Sequence, residues 1–188
     1  MAADFFFQDP TFEIQPLTTV AIFKWQRLGN PEVQYAIAAE EQYLQFHLYM
    51  LKNLRHTRAG QLADPPYRRE LGLSVRAGAV KAAVLVAASI TEAALRAIAE
   101  TRGYTLNQDL RRRTFGNVIR AWEIAGAPQP EVADVWPQVK AMHAVRNFVH
   151  LHAAAEADDA AWVRVLERED ELLQGALRVI DHVAAIEA

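Results

Sequence analysis

Apolar residues recur three and four apart along most of this chain, and alternating runs are scarce. A period near 3.6 residues predicts amphipathic helices rather than strands. Val33, Ile37, Leu44, Leu48 and Leu51 mark the first, which should start at Asn30-Pro31, a capping side chain followed by proline at the first helical position, and run to about Arg58. Gly60 and Asp64-Pro65-Pro66 break the pattern. Tyr67 to Arg102 reads as one long helix, with Gly72 and Gly78 as places for a bend and Gly103 as its stop. Between Ala79 and Ala99 it is apolar nearly all round, which calls for neighbours on several sides. Asn107 to Ala125 is a further expected helix, capped by Asn107 and stopped by Gly126. Glu131 to about His152 is the next, after a loop at 127–130. Ala160 to Glu187 closes the chain with Trp162, Leu166, Leu173, Leu177 and Ile180 on one stripe. Residues 18–28 fit either a short helix or a strand. Residues 1–17, aromatic and punctuated by Pro10 and Pro16, are expected to be extended and packed on the rest. The expected fold is all-α: an antiparallel bundle of four to five helices with an irregular aromatic N-terminal extension. The clearest boundary separates an N-terminal extension and helix (1–66) from the main helical bundle (67–188).

Composition adds constraints. With 52% apolar residues in 188 and only eight glycines and eight prolines, the chain has ample material for a helical core. A net charge of −3 excludes strong unspecific attraction of the whole molecule to nucleic acid and leaves room for a local basic patch. The absence of cysteine excludes disulfides, thiolate metal sites and a cysteine nucleophile. The first residues lack the basic start and long apolar core of a signal peptide. The most apolar run, Ala77 to Ala99, is interrupted by Lys81, Glu92 and Arg96 and reads as a buried helix rather than a membrane span. A soluble cytoplasmic protein without a membrane partner is the expectation.

One stretch departs from ordinary core patterning. On a helical wheel from Val132, Val135, Trp136, Val139 and Met142 share an apolar sector. His143, Arg146 and His150 fall in the same sector, with Asn147 at its edge and His152 on another face. Such groups are not buried without partners, so this end of the stripe should line a cleft, meet a polar partner or lie at an interface. A guanidinium offers a two-pronged grip on phosphate, and a histidine can act as acid or base near neutral pH. The plainer reading is that Arg146 and Asn147 satisfy carbonyls at the helix end. On the central helix, Ser89, Glu92 and Arg96 share a face, and Glu92 needs a cation; Arg96, four residues on, is the first choice, with Arg146 or a histidine as the alternative. Arg111, Arg112 and Arg113, with Arg120 beyond, form the densest basic cluster; a solvated helix face is the plain reading and an RNA-backbone contact the functional one. Arg55 to Arg58 reads as a complement to a helix dipole. His47, His56 and His182 are isolated. Glu156 and Asp158 follow the histidines only at loop distance, so neither a metal site nor a cofactor is expected.

Arg146-Asn147-Phe148-Val149-His150-Leu151-His152 resembles the signature of HEPN domains, an arginine and a polar residue followed four to six residues on by a histidine. Five intervening residues pair Arg146 with His152, and three pair it with His150; the helical wheel favours His150 and the family spacing favours His152. The order of elements over residues 67–188 is also similar: a central apolar helix carrying Ser89 to Arg96, a linking helix, the Arg-Asn helix and a long terminal helix. The resemblance implies a metal-independent ribonuclease acting as a homodimer, with facing Arg/His motifs in a composite site, or a non-catalytic relative that binds RNA, a nucleotide or a protein. It implies that Arg146 holds phosphate, that a histidine activates a ribose 2′-hydroxyl, that Asn147 orients the sugar-phosphate, and that His143 and Glu92 support them. A toxin or defence role, with an antitoxin or regulatory protein as partner, is part of the same implication. Residues 1–66 are not covered by it.

Overall fold

The computed structural model describes residues 11–53, 73–126, 128–147 and 160–187, and every regular element among them is helical. The long elements are α1 (Pro31–Asn53), α2 (Leu73–Thr101), α3 (Phe115–Ile124), α4 (Trp136–Asn147), and a terminal helix divided at Arg168 into α5 (Ala160–Glu167) and α6 (Glu169–Ala184). Asn30 caps α1 through its side-chain oxygen, which accepts the backbone N–H of Glu32 at 3.0 Å. Gly103, at φ +68°, ends α2 in a Schellman motif: Tyr104 N–H donates to the Ala99 carbonyl at 2.8 Å and Gly103 N–H to that of Glu100 at 3.2 Å. Residues 17–28 are helical and not a strand. They form successive α, π and 3-10 turns that bury Val20, Ala21, Trp25 and Leu28.

Two expected helices begin later than their sequence pattern suggests. Residues 107–114 are a loop around one 3-10 turn, Leu110–Arg112, and α3 starts only at Phe115. Asn107 does cap, but it caps that turn: its side chain takes the N–H of Asp109 and Asp109 takes the N–H of Arg111, each at 3.0 Å. Short polar side chains that bond their own backbone in this way compete with a helix start. Residues 131–135 likewise form turns, and α4 starts at Trp136, with Pro137, which lacks an N–H, in its first turn. The Gly60 to Pro66 break, Arg55 to Arg58, and residues 148–159 with His150 and His152 lie outside the described residues.

Side-chain contacts fix the directions of the helices. Arg76 near the start of α2 reaches the Leu51 carbonyl near the end of α1, while His47 meets the Ala79 carbonyl at 3.0 Å, so α1 and α2 run antiparallel. Arg102, just past the end of α2, bonds Glu131 ahead of α4, whereas Glu92 in mid-helix meets Arg146 near the end of α4; these two are antiparallel as well. His182 of α6 bonds the Glu131 carbonyl at 2.5 Å, and Gly175 packs on Gln138, so α6 reverses again. The core is continuous from Val20 through Ile37, Leu44, Val84, Leu95, Trp122 and Val139 to Ile186. Residues on both sides of position 66 therefore share one core. The buried stripe of α6 centres on Ala176, Val179, Ile180 and Val183, with Leu173 and Leu177 at its margin. The segment Ser74–Thr101 is long and apolar enough by composition to cross a membrane; here it is the helix around which the others pack.

A polar joint ties the N-terminal segment into this core. Glu41, only 6% exposed, accepts Trp25 Nε1–H at 2.7 Å on one oxygen and Lys24 Nζ at 2.5 Å on the other, and Lys24 also donates to Asp181 of α6 at 2.7 Å. Burial acts to lower the Lys24 pKa, but its bonds to Asp181 and Glu41 outweigh this and hold it above the ordinary value of 10.5. Its stabilising contribution is therefore complete below that ordinary value and fades as pH rises through the folded one. Further out, Phe12 stacks on Tyr49 at 4.0 Å between centroids, and Gln15 bonds Gln42 and Gln45, so residues 11–16 lie along α1.

Glu41→Ala should cost about 2–4 kcal/mol in urea unfolding, because it strands a partly buried ammonium and a buried indole N–H. Asp181→Ala, which removes a carboxylate that is 72% exposed, should cost under about 1 kcal/mol. Equal losses would show that Glu41 is not the anchor of the joint.

Candidate functional site

The last two turns of α4 bring polar groups against α2 and α3. Val139 and Met142 complete the apolar stripe, and beyond them His143 and Arg146 are half-buried and Asn147 is exposed. Arg146 donates through one terminal nitrogen to Glu92 of α2. That carboxylate is 16% exposed and the guanidinium 37%. Arg96 is engaged elsewhere, donating to Glu100 at 2.9 Å. The first-choice pairing of Glu92 with Arg96 is therefore corrected: Glu92 takes the interhelical cation, and Arg96 faces the next turn.

Phe115, fully buried at the start of α3, is the floor of the cluster. The Arg146 guanidinium carbon lies 5.9 Å from its ring centroid, and the His143 ring meets it edge-on at 5.6 Å and 88°. Such contacts hold a cation and an imidazole on an apolar surface while leaving their outer edges free. Asn147 Nδ2 lies 3.3 Å from His143 Nε2. Gly116 backs the same imidazole so closely that a β-carbon there would sit 3.0 Å from Nε2.

The structure thus brings Arg146, Asn147, His143 and Glu92 into one constellation. His150 and His152 lie outside the described residues. Phe115 and Gly116 belong to the site and were not singled out by sequence reasoning. The available signal was Gly116 itself: a glycine inside a helix costs about 1 kcal/mol relative to alanine, and its presence commonly reflects close packing.

The three arginines of the basic cluster are not spread round a helix; they sit in and just after the 3-10 turn before α3. Arg113 is held inward, donating to Glu100 at 2.5 Å and to the Asn107 carbonyl at 2.7 Å. Arg112 is 75% exposed beside Asp109 at 3.6 Å. Arg111 and Arg120 are exposed, and neither has a side-chain partner among the described residues. Because Phe115 and Gly116 touch the Arg146 cluster, Arg111 and Arg112 lie only a few residues along the chain from it. Two shallow depressions, one between α4 and α6 and one along α6, are lined by Gln174 and Arg178 among others and by none of the site residues. Among the described residues no group of three or more His, Asp or Glu could hold a metal ion.

Compared with protein-family models, curated proteins and solved structures, the chain matches none.

A cycle of Glu92→Gln, Arg146→Gln and the double variant should return a coupling of about 1 kcal/mol in urea unfolding, since the pair is partly screened. A coupling indistinguishable from zero would mean that the ion pair does not hold α4 to α2.

Proposed function

We propose that this chain is a HEPN-like, metal-independent endoribonuclease that works as a homodimer. The observation that carries the reading is the posture of Arg146. One of its donors is fixed by Glu92 of α2, its central carbon lies 5.9 Å from the Phe115 ring of α3, and the side chain stays partly exposed. A guanidinium has five N–H donors, so the bond to Glu92 leaves others for phosphate oxygens.

In the proposed reaction Arg146 holds the scissile phosphate and stabilises the charge that develops on it. His150 or His152 accepts the proton of the ribose 2′-hydroxyl. The 2′-oxygen then bonds to phosphorus, the bond to the 5′-oxygen of the next nucleotide breaks, and that oxygen takes a proton as it leaves. The products are a 2′,3′-cyclic phosphate and a 5′-hydroxyl. No metal ion or cofactor is part of this scheme. A second copy supplies the facing motif, and Arg111 and Arg112, exposed a few residues along the chain from Phe115 and Gly116, offer charge for the RNA backbone; Arg113, tied to Glu100, offers less. A toxin or defence effector in the cytoplasm, restrained by an antitoxin or regulatory protein, is the biological setting that the motif suggests.

The second reading is a non-catalytic dimeric helical domain that binds RNA, a nucleotide or a protein through this surface. Its specific support is the Glu92–Arg146 pair, which gives Arg146 a structural occupation without any substrate.

Purified protein should cleave mixed-sequence RNA in excess chelator, and Arg146→Ala should reduce the rate at least 100-fold while retaining helical circular dichroism. Retained cleavage by that variant would sink the site assignment, and a wild-type protein that binds RNA without cutting it would favour the second reading. Sedimentation at micromolar concentration should give twice the 21.1 kDa protomer mass, and a monomer would remove the composite site.

A further inference from the structure

His143 has the chemistry of a catalytic base, but its surroundings assign it another task. Its ring is fixed on three sides: edge-on against Phe115, backed by Gly116, and bonded to Asn147. The group 3.3 Å from Nε2 is the amide nitrogen of Asn147, which can only donate. In that orientation Nε2 is the acceptor and the ring proton belongs on Nδ1, the tautomer that such a contact requires. In that tautomer Nε2 is already engaged by Asn147 and offers no free lone pair to a substrate proton. We propose that Gly116 and His143 form a seat that orients the Asn147 side chain, making both positioning residues, and that the seated Asn147 discriminates ribose from deoxyribose.

The link to discrimination follows from the amide's two ends. With Nδ2 committed to His143, the oxygen of the exposed Asn147 side chain remains as an acceptor one residue along α4 from Arg146. Arg146 suits a phosphate, and an acceptor next to it suits a hydroxyl donor on the adjoining sugar. The 2′-hydroxyl supplies that donor in RNA and is absent from DNA. Gly116 is required because a methyl at its β-position would press on Nε2 itself. The ring would have to give by a few tenths of an ångström, and its bond to Asn147 is already long. The discrimination rests on the ribonuclease reading; the seat does not.

Nitrogen-15 spectra of histidine-labelled protein test the seat directly. His143 should be Nδ1-protonated with Nε2 bare, and Gly116→Ala or Asn147→Ala should shift that signal while the other histidines and the circular dichroism stay unchanged. Binding is then compared for a single-stranded RNA and a DNA of the same sequence, in a His150→Ala/His152→Ala background that prevents turnover. The expected preference for RNA is about five-fold, the scale of one net hydrogen bond. Gly116→Ala and His143→Ala should both reduce it towards one, whereas Arg146→Ala should weaken RNA and DNA binding alike. Nε2-protonated His143, or an RNA preference unchanged in both seat variants, overturns the proposal. If Arg146→Ala binds both strands as tightly as its parent, the ribonuclease reading falls instead, and the tautomer still decides the seat.

Discussion

Everything in this fold follows from the need to cover α2. Its residues from Ala77 to Ala99 bury Val80, Val84, Ala87, Ile90, Leu95 and Ile98 on faces that point in several directions. No single partner helix can shield such a surface. The chain answers by placing α1, α4, α5 and α6 along it and α3 across its second half. Small residues make this feasible, since alanines at 83, 87, 88, 94, 97 and 99 let neighbouring backbones come close.

A helix that is enclosed in this way can carry charge only where a partner meets it. Arg76 is met by Glu169 and the Leu51 carbonyl, Glu92 by Arg146, and Arg102 by Glu131 and the carbonyl of Glu187. These joints lie at the start, middle and end of α2. The first joins Arg76 to the start of α6 and the end of α1, and the last joins Arg102 to the turns before α4 and after α6, which makes them structural fastenings. Arg102 also sits over Trp122, 5.9 Å from its ring, and Tyr104 and Gln129 enclose it further. The middle joint differs because the guanidinium comes from the neighbouring helix and stays partly exposed beside other polar groups. That difference, rather than its charge, is what marks Arg146 as a candidate for chemistry.

Much of this architecture was legible in the sequence because it depends on period and punctuation. The apolar spacing of α1, the all-round apolarity of α2 and the stops at Gly103 and Gly126 all express local rules, and each holds in the structure. The starts of α3 and α4 were misjudged for a reason that is also physical. Asn107 and Asp109 satisfy a 3-10 turn as readily as an α-helix, and periodicity cannot separate the two over so few residues. The constellation was only half legible. Arg146, Asn147 and His143 share a helix face by spacing alone, but the partner of Glu92 depends on how α4 lies across α2. Gly116 acquires its meaning only once His143 is pressed against it.

The Glu92–Arg146 pair also constrains how a polyanion could be recognised. Seen from beyond about 8 Å, the screening length at physiological salt, a carboxylate and a guanidinium in contact present almost no net charge. A chain of net charge −3 adds no long-range attraction of its own. Arg146 can therefore act on a phosphate only at hydrogen-bonding range, through the orientation of its remaining donors. The capture of a strand must fall to charges that are exposed and unneutralised. Arg111 and Arg120 meet that description among the described residues near α3, with Arg112 partly screened by Asp109. On the proposed ribonuclease reading, separating encounter from recognition in this way would let a weakly acidic protein engage RNA, with a bound geometry dictated by the cluster rather than by bulk electrostatics.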